Sequence, residues 1–176
     1  MVTLQETAVK FNNNLHASHT GGRLSSDSGL LLVDELMDAF HEEFHVNFQR
    51  FEVKKGNIIR YLLRKIHNHE NEETRIIEDN NTVHVEHIMP KRIRAADDWK
   101  IDEDQHEINV NRFGNLTLLG QEYNRNAVNK DFESKKEIYL KSEISMTIDL
   151  IAYETWGVEA IEERQEILAD VALEIW

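Results

Sequence analysis

A glutamate and a histidine stand side by side in the stretch TVHVEHIMPK, shortly before the only proline of the chain. The alternating valines predict a β-strand over Thr82–Met89, which Pro90 ends. A neutral imidazole accepts a proton from water near pH 7, and a carboxylate is a ligand that Mg²⁺ prefers. Glu86 and His87 therefore indicate metal-assisted hydrolysis. Because neighbouring residues of a regular strand face opposite ways, the two can share a site only if the strand is distorted there, and Pro90 favours an irregular end.

Two asparagines follow further along the chain. Asn115 precedes a second predicted strand, Leu116–Leu119, and Asn124 lies on the short predicted helix Gln121–Val128. An amide carbonyl is another oxygen ligand for Mg²⁺, which takes few ligands from the protein and keeps several waters. His84 shares the predicted strand face with the glutamate and is a further candidate for the same site.

Helical periodicity predicts elements on both sides of this segment. The predicted helices cover residues 28–44, 55–69, 131–141, 146–156 and 158–176, and a long charged loop with a helical turn near Asp102–Glu107 covers residues 91–111. We expect Arg60, Arg64 and Lys65 of the second helix to face solvent. Two short strands and one short helix cannot form a core alone, so the flanking helices must supply it. The predicted fold class is mainly α (α+β), a helical body around a small ββα core.

Charge is distributed unevenly along the chain. The formal net charge of −13 argues against a general binder of nucleic acid. Residues 142–176 contain 1 basic and 9 acidic residues, whereas residues 84–141 contain 10 and 11 and are nearly neutral. A polyanion would therefore approach the middle of the chain and not its tail. The basic residues of this middle segment include Lys91, Arg92, Lys130, Lys135 and Lys136.

Composition excludes several other classes of protein. With 176 residues, of which 40% are hydrophobic, the chain can form one domain with a real core. Cysteine is absent, which excludes disulfides and thiolate metal sites and favours a reducing cytosol. There is no apolar run of roughly 18 residues and no signal-peptide pattern, so we expect a cytoplasmic protein without a membrane segment.

The motifs resemble those of the HNH nucleases, also called His-Me finger or ββα-metal nucleases. Glu86-His87 at one strand end, Asn115 before the second strand and Asn124 on the next helix match the pattern of that family. The wider sequence, RYLLRKI, VEHIMPK, a tryptophan and FGNLTLLGQEYNRNAVNKDFESKKEIY, is similar to the C-terminal nuclease domain of GmrSD-type, modification-dependent restriction enzymes. The resemblance covers roughly Asn57–Trp176 and ends in EAIEERQEILADVALEIW, which looks like the closing helix of that family.

The resemblance implies a division of the chain and roles for individual residues. Residues 1–54 would be an N-terminal loop and helical segment, and residues 55–176 the HNH nuclease domain, with its ββα core at about 82–130 and its C-terminal helices at 131–176. His87 would be the general base that activates water, and Asn115 would brace the loop that orients it. Glu86 and Asn124 would bind Mg²⁺, Mn²⁺ or another divalent cation. The basic residues Lys91, Arg92, Lys130, Lys135 and Lys136 would contact DNA.

The same resemblance implies a biological setting. The reaction would nick or cleave DNA and leave a 5′-phosphate and a 3′-hydroxyl. In the resembled family a separate N-terminal nucleotide-hydrolysing domain governs activity and senses DNA modification, so a partner of that kind and modified phage DNA are the expected partners. The expected location is the cytoplasm of a bacterium that defends itself against phage.

Three alternatives stay open at this point. The first is a regulatory module of the same fold that binds DNA or protein and has lost catalysis. The second concerns the last motif position, since Asn126 and Asn129 lie close to Asn124; Asn129 is expected to cap the next helix instead. The third is a zinc peptidase, because His41 to His45 match H-E-x-x-H, although that motif needs a third ligand.

Overall fold

The structure is a computed structural model that describes residues 38, 40–71, 73, 75–76, 82–93, 99 and 101–176. The chain divides into two units, residues 1–48 and residues 49–176. In the first unit residues 40–48 are helical, so the first predicted helix runs past its expected end at residue 44. The predicted start of that helix lies outside the described residues.

The second unit is mostly helical, and its described residues include a small antiparallel sheet of two strands. The elements are α1 Gly56–Glu70, β1 Val83–His87, α2 Glu103–Asn109, a 3-10 turn Phe113–Asn115, β2 Leu116–Gly120, α3 Gln121–Ala127, α4 Phe132–Tyr139, α5 Ser145–Ile148, a 3-10 turn Asp149–Ala152 and α6 Val158–Ile175. The prediction of a mainly α (α+β) fold is confirmed. Among the described helices none is both long and apolar enough to span a membrane.

The two strands pair in regular register along their whole length. Glu86 lies opposite Thr117, and His87 lies opposite Leu116 at the last pair of the sheet. The backbone N–H of Ile88 still donates to the carbonyl oxygen of Asn115 at 3.0 Å, and the chain then bends. The strand is therefore regular at the pair itself, and the irregular end that Pro90 indicates begins directly after the histidine.

The core lies where the bend after β1 meets the C-terminal helices. Ile88 and Met89 are fully buried on this bend and anchor it in the apolar interior. Burial of such side chains stabilises the fold by about 1.5–3 kcal/mol each. The same cluster includes Trp99, Leu119, Phe132, Tyr139, Leu150, Trp156 and Ile161. The flanking helices thus supply the core, as the sequence predicts.

A polar contact joins α6 to the start of β2. The Arg164 guanidinium donates to the carbonyl oxygens of Gly114 at 2.7 Å and Leu116 at 2.8 Å. The Gln165 side chain accepts from the backbone N–H of Gly114 at 3.0 Å. Both side chains are buried, and burial lowers the pKa of Arg164 to about 10. Helix α6 therefore holds this segment with hydrogen bonds as well as with the predicted apolar stripe.

Two predictions about the helices are wrong. Arg64 is buried, whereas the sequence analysis expected it to face solvent. The single helix predicted over residues 146–156 is instead α5 followed by a 3-10 turn that ends at Ala152. The Thr147 hydroxyl hydrogen-bonds the carbonyl oxygen of Leu118 and, at 2.8 Å, the Thr117 hydroxyl. These contacts with β2 fix the short helix more strongly than local propensity does.

We expect the Gly114→Ala substitution to destabilise the fold, because a Cβ there would collide with the carbonyl oxygen of Ile161 and approach Gln165 Cβ to 3.0 Å. The free energy of unfolding should fall by roughly 1–3 kcal/mol, measured by urea denaturation. Gly56→Ala is the matched control, since nothing lies within 4 Å of a Cβ there. Equal stability of the two variants would contradict the close approach of α6.

Candidate active site

A cavity of about 280 Å³ lies at the end of β1, between the start of α1 and the α3–α4 segment. It brings together three of the four motif residues, Glu86, His87 and Asn124. The remaining wall residues are Lys54, Gly56, Ile59, Val85, Pro90, Lys91, Val128, Asn129 and Lys135. Residues that are distant in the sequence thus share one polar site, although His84 is not part of its wall.

Asn115 is fully buried and is not part of the cavity wall. Its amide accepts from the backbone N–H of Met89 at 2.8 Å and donates to the carbonyl oxygen of Met89 at 3.0 Å. It also donates to the carbonyl oxygen of Val110 at 3.0 Å and accepts from the indole N–H of Trp156 at 3.0 Å. The side chain therefore holds the bend that directly follows His87.

His87 combines partial burial with an unused ring nitrogen. Its Nε2 is buried and has no hydrogen-bond partner among the described residues. The pKa of His87 is lowered to about 4. Burial contributes most, the positive charges of Lys91 and Lys135 act in the same direction, and a hydrogen bond with the Asn111 side chain opposes them. The imidazole is therefore neutral at pH 7 and can accept a proton.

Glu86 forms a buried ion pair with Lys135. The ammonium of Lys135 lies 2.5 Å from Glu86 Oε1 and also donates to the carbonyl oxygen of His87 at 2.7 Å. The Tyr139 hydroxyl donates to the same carboxylate oxygen at 3.4 Å. Burial raises the pKa of Glu86 and lowers that of Lys135, and the attraction within the pair opposes both shifts. One lysine thus ties a side chain and a backbone carbonyl of consecutive strand residues together.

Asn124 is fixed on the cavity wall by one hydrogen bond. Its Nδ2 donates to the carbonyl oxygen of Val85 at 3.1 Å. This bond sets the orientation of the amide and leaves the carbonyl oxygen, Oδ1, as its acceptor for a cation. The α3 helix therefore attaches Asn124 to β1 and places it in the wall of the cavity that Glu86 also lines.

The oxygen ligands of Glu86 and Asn124 suit a hard divalent cation that takes few ligands from the protein. Mg²⁺ commonly takes one or two protein oxygens and completes its shell with water and phosphate. Glu86 and Asn124, which line the cavity together with His87, are one carboxylate and one amide. Lys135 already neutralises the carboxylate, so a cation there would share Glu86 with the ammonium. Within the described part of the chain no three His, Asp or Glu side chains converge on one point.

The five basic residues predicted to contact DNA are placed differently from one another. Lys91 is exposed on the cavity wall, Arg92 is exposed next to it, and Lys130 is exposed in the loop before α4. Lys136 pairs with Glu133 at 2.7 Å on α4. Lys135 is only 1% exposed, so it does not lie on an open surface.

The sequence analysis missed several residues of the site. The burial of Lys135 has a signal in the sequence, because Phe132, Lys135 and Tyr139 share one face of α4 at helical spacing. That face is the buried one. Lys54 and Asn111 lie in connecting segments, where no periodicity indicates which residues approach the cavity.

His41 and His45 belong to the separate unit of residues 1–48. Both lie in the helical stretch 40–48, as the zinc hypothesis requires. The third ligand that a zinc peptidase needs is not supplied by any cluster among the described residues.

We expect Lys135→Met to lower the free energy of unfolding by about 3 kcal/mol at pH 7, because it leaves a buried carboxylate without its counter-charge. The double variant Glu86→Gln/Lys135→Met should recover most of that loss. Lys136→Met is the matched control, because its partner Glu133 is 81% exposed, and about 0.5 kcal/mol or less should be lost. Urea denaturation measures all three, and a double variant as unstable as Lys135→Met would contradict the coupling.

Comparison with protein families and with curated proteins shows to which family the chain belongs. The family model described as GmrSD restriction endonucleases, C-terminal domain, matches residues 38–171. No curated protein matches the chain significantly. The family match covers well over half of the chain and includes the whole candidate site, from Lys54 to Lys135. The chain therefore belongs to the family of C-terminal domains of GmrSD restriction endonucleases.

Proposed function

We propose that this domain is a metal-dependent DNA endonuclease of the HNH type. The observation that carries the proposal is a neutral His87 in the wall of a cavity that Glu86 and Asn124 also line. Membership of the restriction endonuclease family supports DNA as the substrate. Phosphodiester hydrolysis needs a base for water and charge stabilisation at the phosphate, and these residues are suited to both tasks.

In the proposed reaction His87 accepts the proton of the attacking water. Asn115 holds the bend behind the imidazole, and the hydrogen bond with Asn111 steadies the ring. Glu86 and Asn124 would hold Mg²⁺ or Mn²⁺, which when bound neutralises charge on the scissile phosphate and stabilises the departing 3′ oxygen. The products would carry a 5′-phosphate and a 3′-hydroxyl.

Exposed cations at the cavity would receive the DNA backbone. Lys54 and Lys91 line the wall beside His87, and Arg92 follows on the same turn. These charges stand out against a net charge of −13, which otherwise repels a polyanion. We infer that the domain binds DNA weakly by itself.

Weak affinity for DNA suggests that target choice lies elsewhere. The proposed partner is an N-terminal nucleotide-hydrolysing sensor, as a domain or a subunit, that recognises modified phage DNA. The domain would then serve as the cutting part of a bacterial restriction system in the cytoplasm. The strongly acidic segment 142–176 is consistent with a body that does not contact DNA.

A second candidate function is favoured by the Glu86–Lys135 pair. An ammonium 2.5 Å from the carboxylate competes with a metal ion for the same oxygen. A domain in which that competition excludes the metal would bind DNA or a partner chain without cutting. Retained DNA binding with no cleavage under several divalent metals would select this function.

The test of the first candidate is the nicking of supercoiled plasmid by the purified protein with Mg²⁺ or Mn²⁺. We expect His87→Ala to slow cleavage roughly 10²–10⁴-fold, because the base is lost. His84→Ala is the matched control from the same strand, outside the cavity wall, and should cut like wild type. Cleavage that survives His87→Ala or an excess of chelator would contradict the proposed mechanism.

A further inference from the structure

Asn129 has an unusual backbone at the wall of the candidate site. It lies in the loop between α3 and α4, and its φ of 57° is the only positive value among the described non-glycine residues. Left-handed backbone disfavours residues with a Cβ, although asparagine tolerates it better than most. The residue lines the same cavity as His87 and Asn124.

The fold itself does not use the amide of Asn129. The expectation that this residue caps the next helix is wrong, because Asp131 accepts from the backbone N–H of Ser134 at 2.8 Å and from its hydroxyl at 2.9 Å. The loop is closed by the backbone N–H of Lys130, which donates to the carbonyl oxygen of Ala127 at 3.2 Å. Within the described residues the Asn129 amide makes no hydrogen bond.

Glycine would adopt this φ without strain. Asparagine adopts it at some conformational cost, and in exchange it places a polar side chain at this position. The residue lines a wall that also carries the exposed lysines Lys54 and Lys91, whereas the charge of Lys135 is compensated by Glu86. The positive charge of the two exposed lysines favours an anion there. A side-chain N–H is a donor that suits a phosphate oxygen.

We propose that Asn129 is a substrate-positioning residue whose Nδ2 donates to a non-bridging oxygen of the DNA phosphodiester backbone. The inference rests on the proposed function in that the substrate is DNA. It assigns Asn129 a role distinct from that of Asn124, whose amide is already fixed by Val85.

Substitution by glycine removes the side chain without straining the backbone, so it tests the role of the side chain alone. We expect Asn129→Gly to bind a fluorescein-labelled DNA duplex roughly tenfold more weakly by anisotropy, because a hydrogen bond to a charged group is lost. Its melting temperature should equal or exceed that of wild type. Asn129→Ala should bind as weakly and also melt lower, because alanine is strained at this φ. Asn126→Ala, at an exposed position of α3 outside the cavity wall, should match wild type in binding.

Chelator in the binding buffer keeps the DNA intact and makes the measurement independent of cleavage. If Asn129→Gly binds like wild type, the residue serves only the backbone and the proposal is overturned. Asn129→Asp tests the competing role of a cation ligand. A carboxylate would repel phosphate, so weaker DNA binding supports the proposal, whereas tighter Mg²⁺ binding by calorimetry with unchanged DNA affinity overturns it.

Plasmid cleavage by the same variants distinguishes a failure of the nuclease proposal from a failure of the proposed role of Asn129. If wild type does not cut but Asn129→Gly still weakens DNA binding, the nuclease proposal fails and the role of Asn129 stands. If wild type cuts and Asn129→Gly cuts with unchanged KM, only the role of Asn129 fails. A rise in KM with little change in kcat is the expected result, since the residue positions substrate and takes no part in proton transfer.

Discussion

The amide of one buried asparagine determines where the candidate base lies. Asn115 makes hydrogen bonds with three separate segments, at Met89, Val110 and Trp156. A buried polar group without partners costs about 1–3 kcal/mol, so these segments must meet if the amide is to be satisfied. Their meeting sets the bend after β1 and therefore the position of His87. Arg164 and Gln165 of α6 hydrogen-bond Gly114 and Leu116, the two neighbours of Asn115, and so hold the backbone around this asparagine as well.

A second constraint is the electrostatic environment of that histidine. The buried pair of Glu86 and Lys135 is an expensive arrangement for stability, since two apolar side chains of similar volume would often serve the fold as well. The ammonium nevertheless lies against the His87 carbonyl and, with Lys91, favours the neutral imidazole. The same ammonium is the main competitor for any cation that Glu86 binds. The site thus combines a base that stays neutral with a carboxylate whose charge is already compensated.

The sequence predicts most of the regular structure because periodicity reports burial. The predicted helix 55–69 agrees with α1 at Gly56–Glu70, and the predicted strand 116–119 agrees with β2. Periodicity does not report polar burial, so the buried Arg64 and the hydrogen bonds of Arg164 were missed. Periodicity also gives no sign of hydrogen bonds between distant segments. The hydrogen bonds of Thr147 with β2 are an example, and the helix predicted over residues 146–156 is shorter in the structure.

For the candidate site, too, the sequence predicts part of the arrangement and not the rest. Motif spacing identifies Glu86, His87 and Asn124, and the structure places all three on one cavity wall. Their chemical roles remain predictions. The left-handed backbone of Asn129 and the ion pair of Lys135 depend on the folded chain and have no counterpart in the motif.

In the proposed mechanism His87 is a neutral base before substrate arrives. Titration of its imidazole by NMR in the presence of chelator measures this directly. We expect an apparent pKa near 4, and a rise of that pKa in the Lys91→Met variant. An ordinary pKa near 6.5, unchanged by Lys91→Met, would contradict the buried, cation-flanked environment from which the proposed chemistry follows.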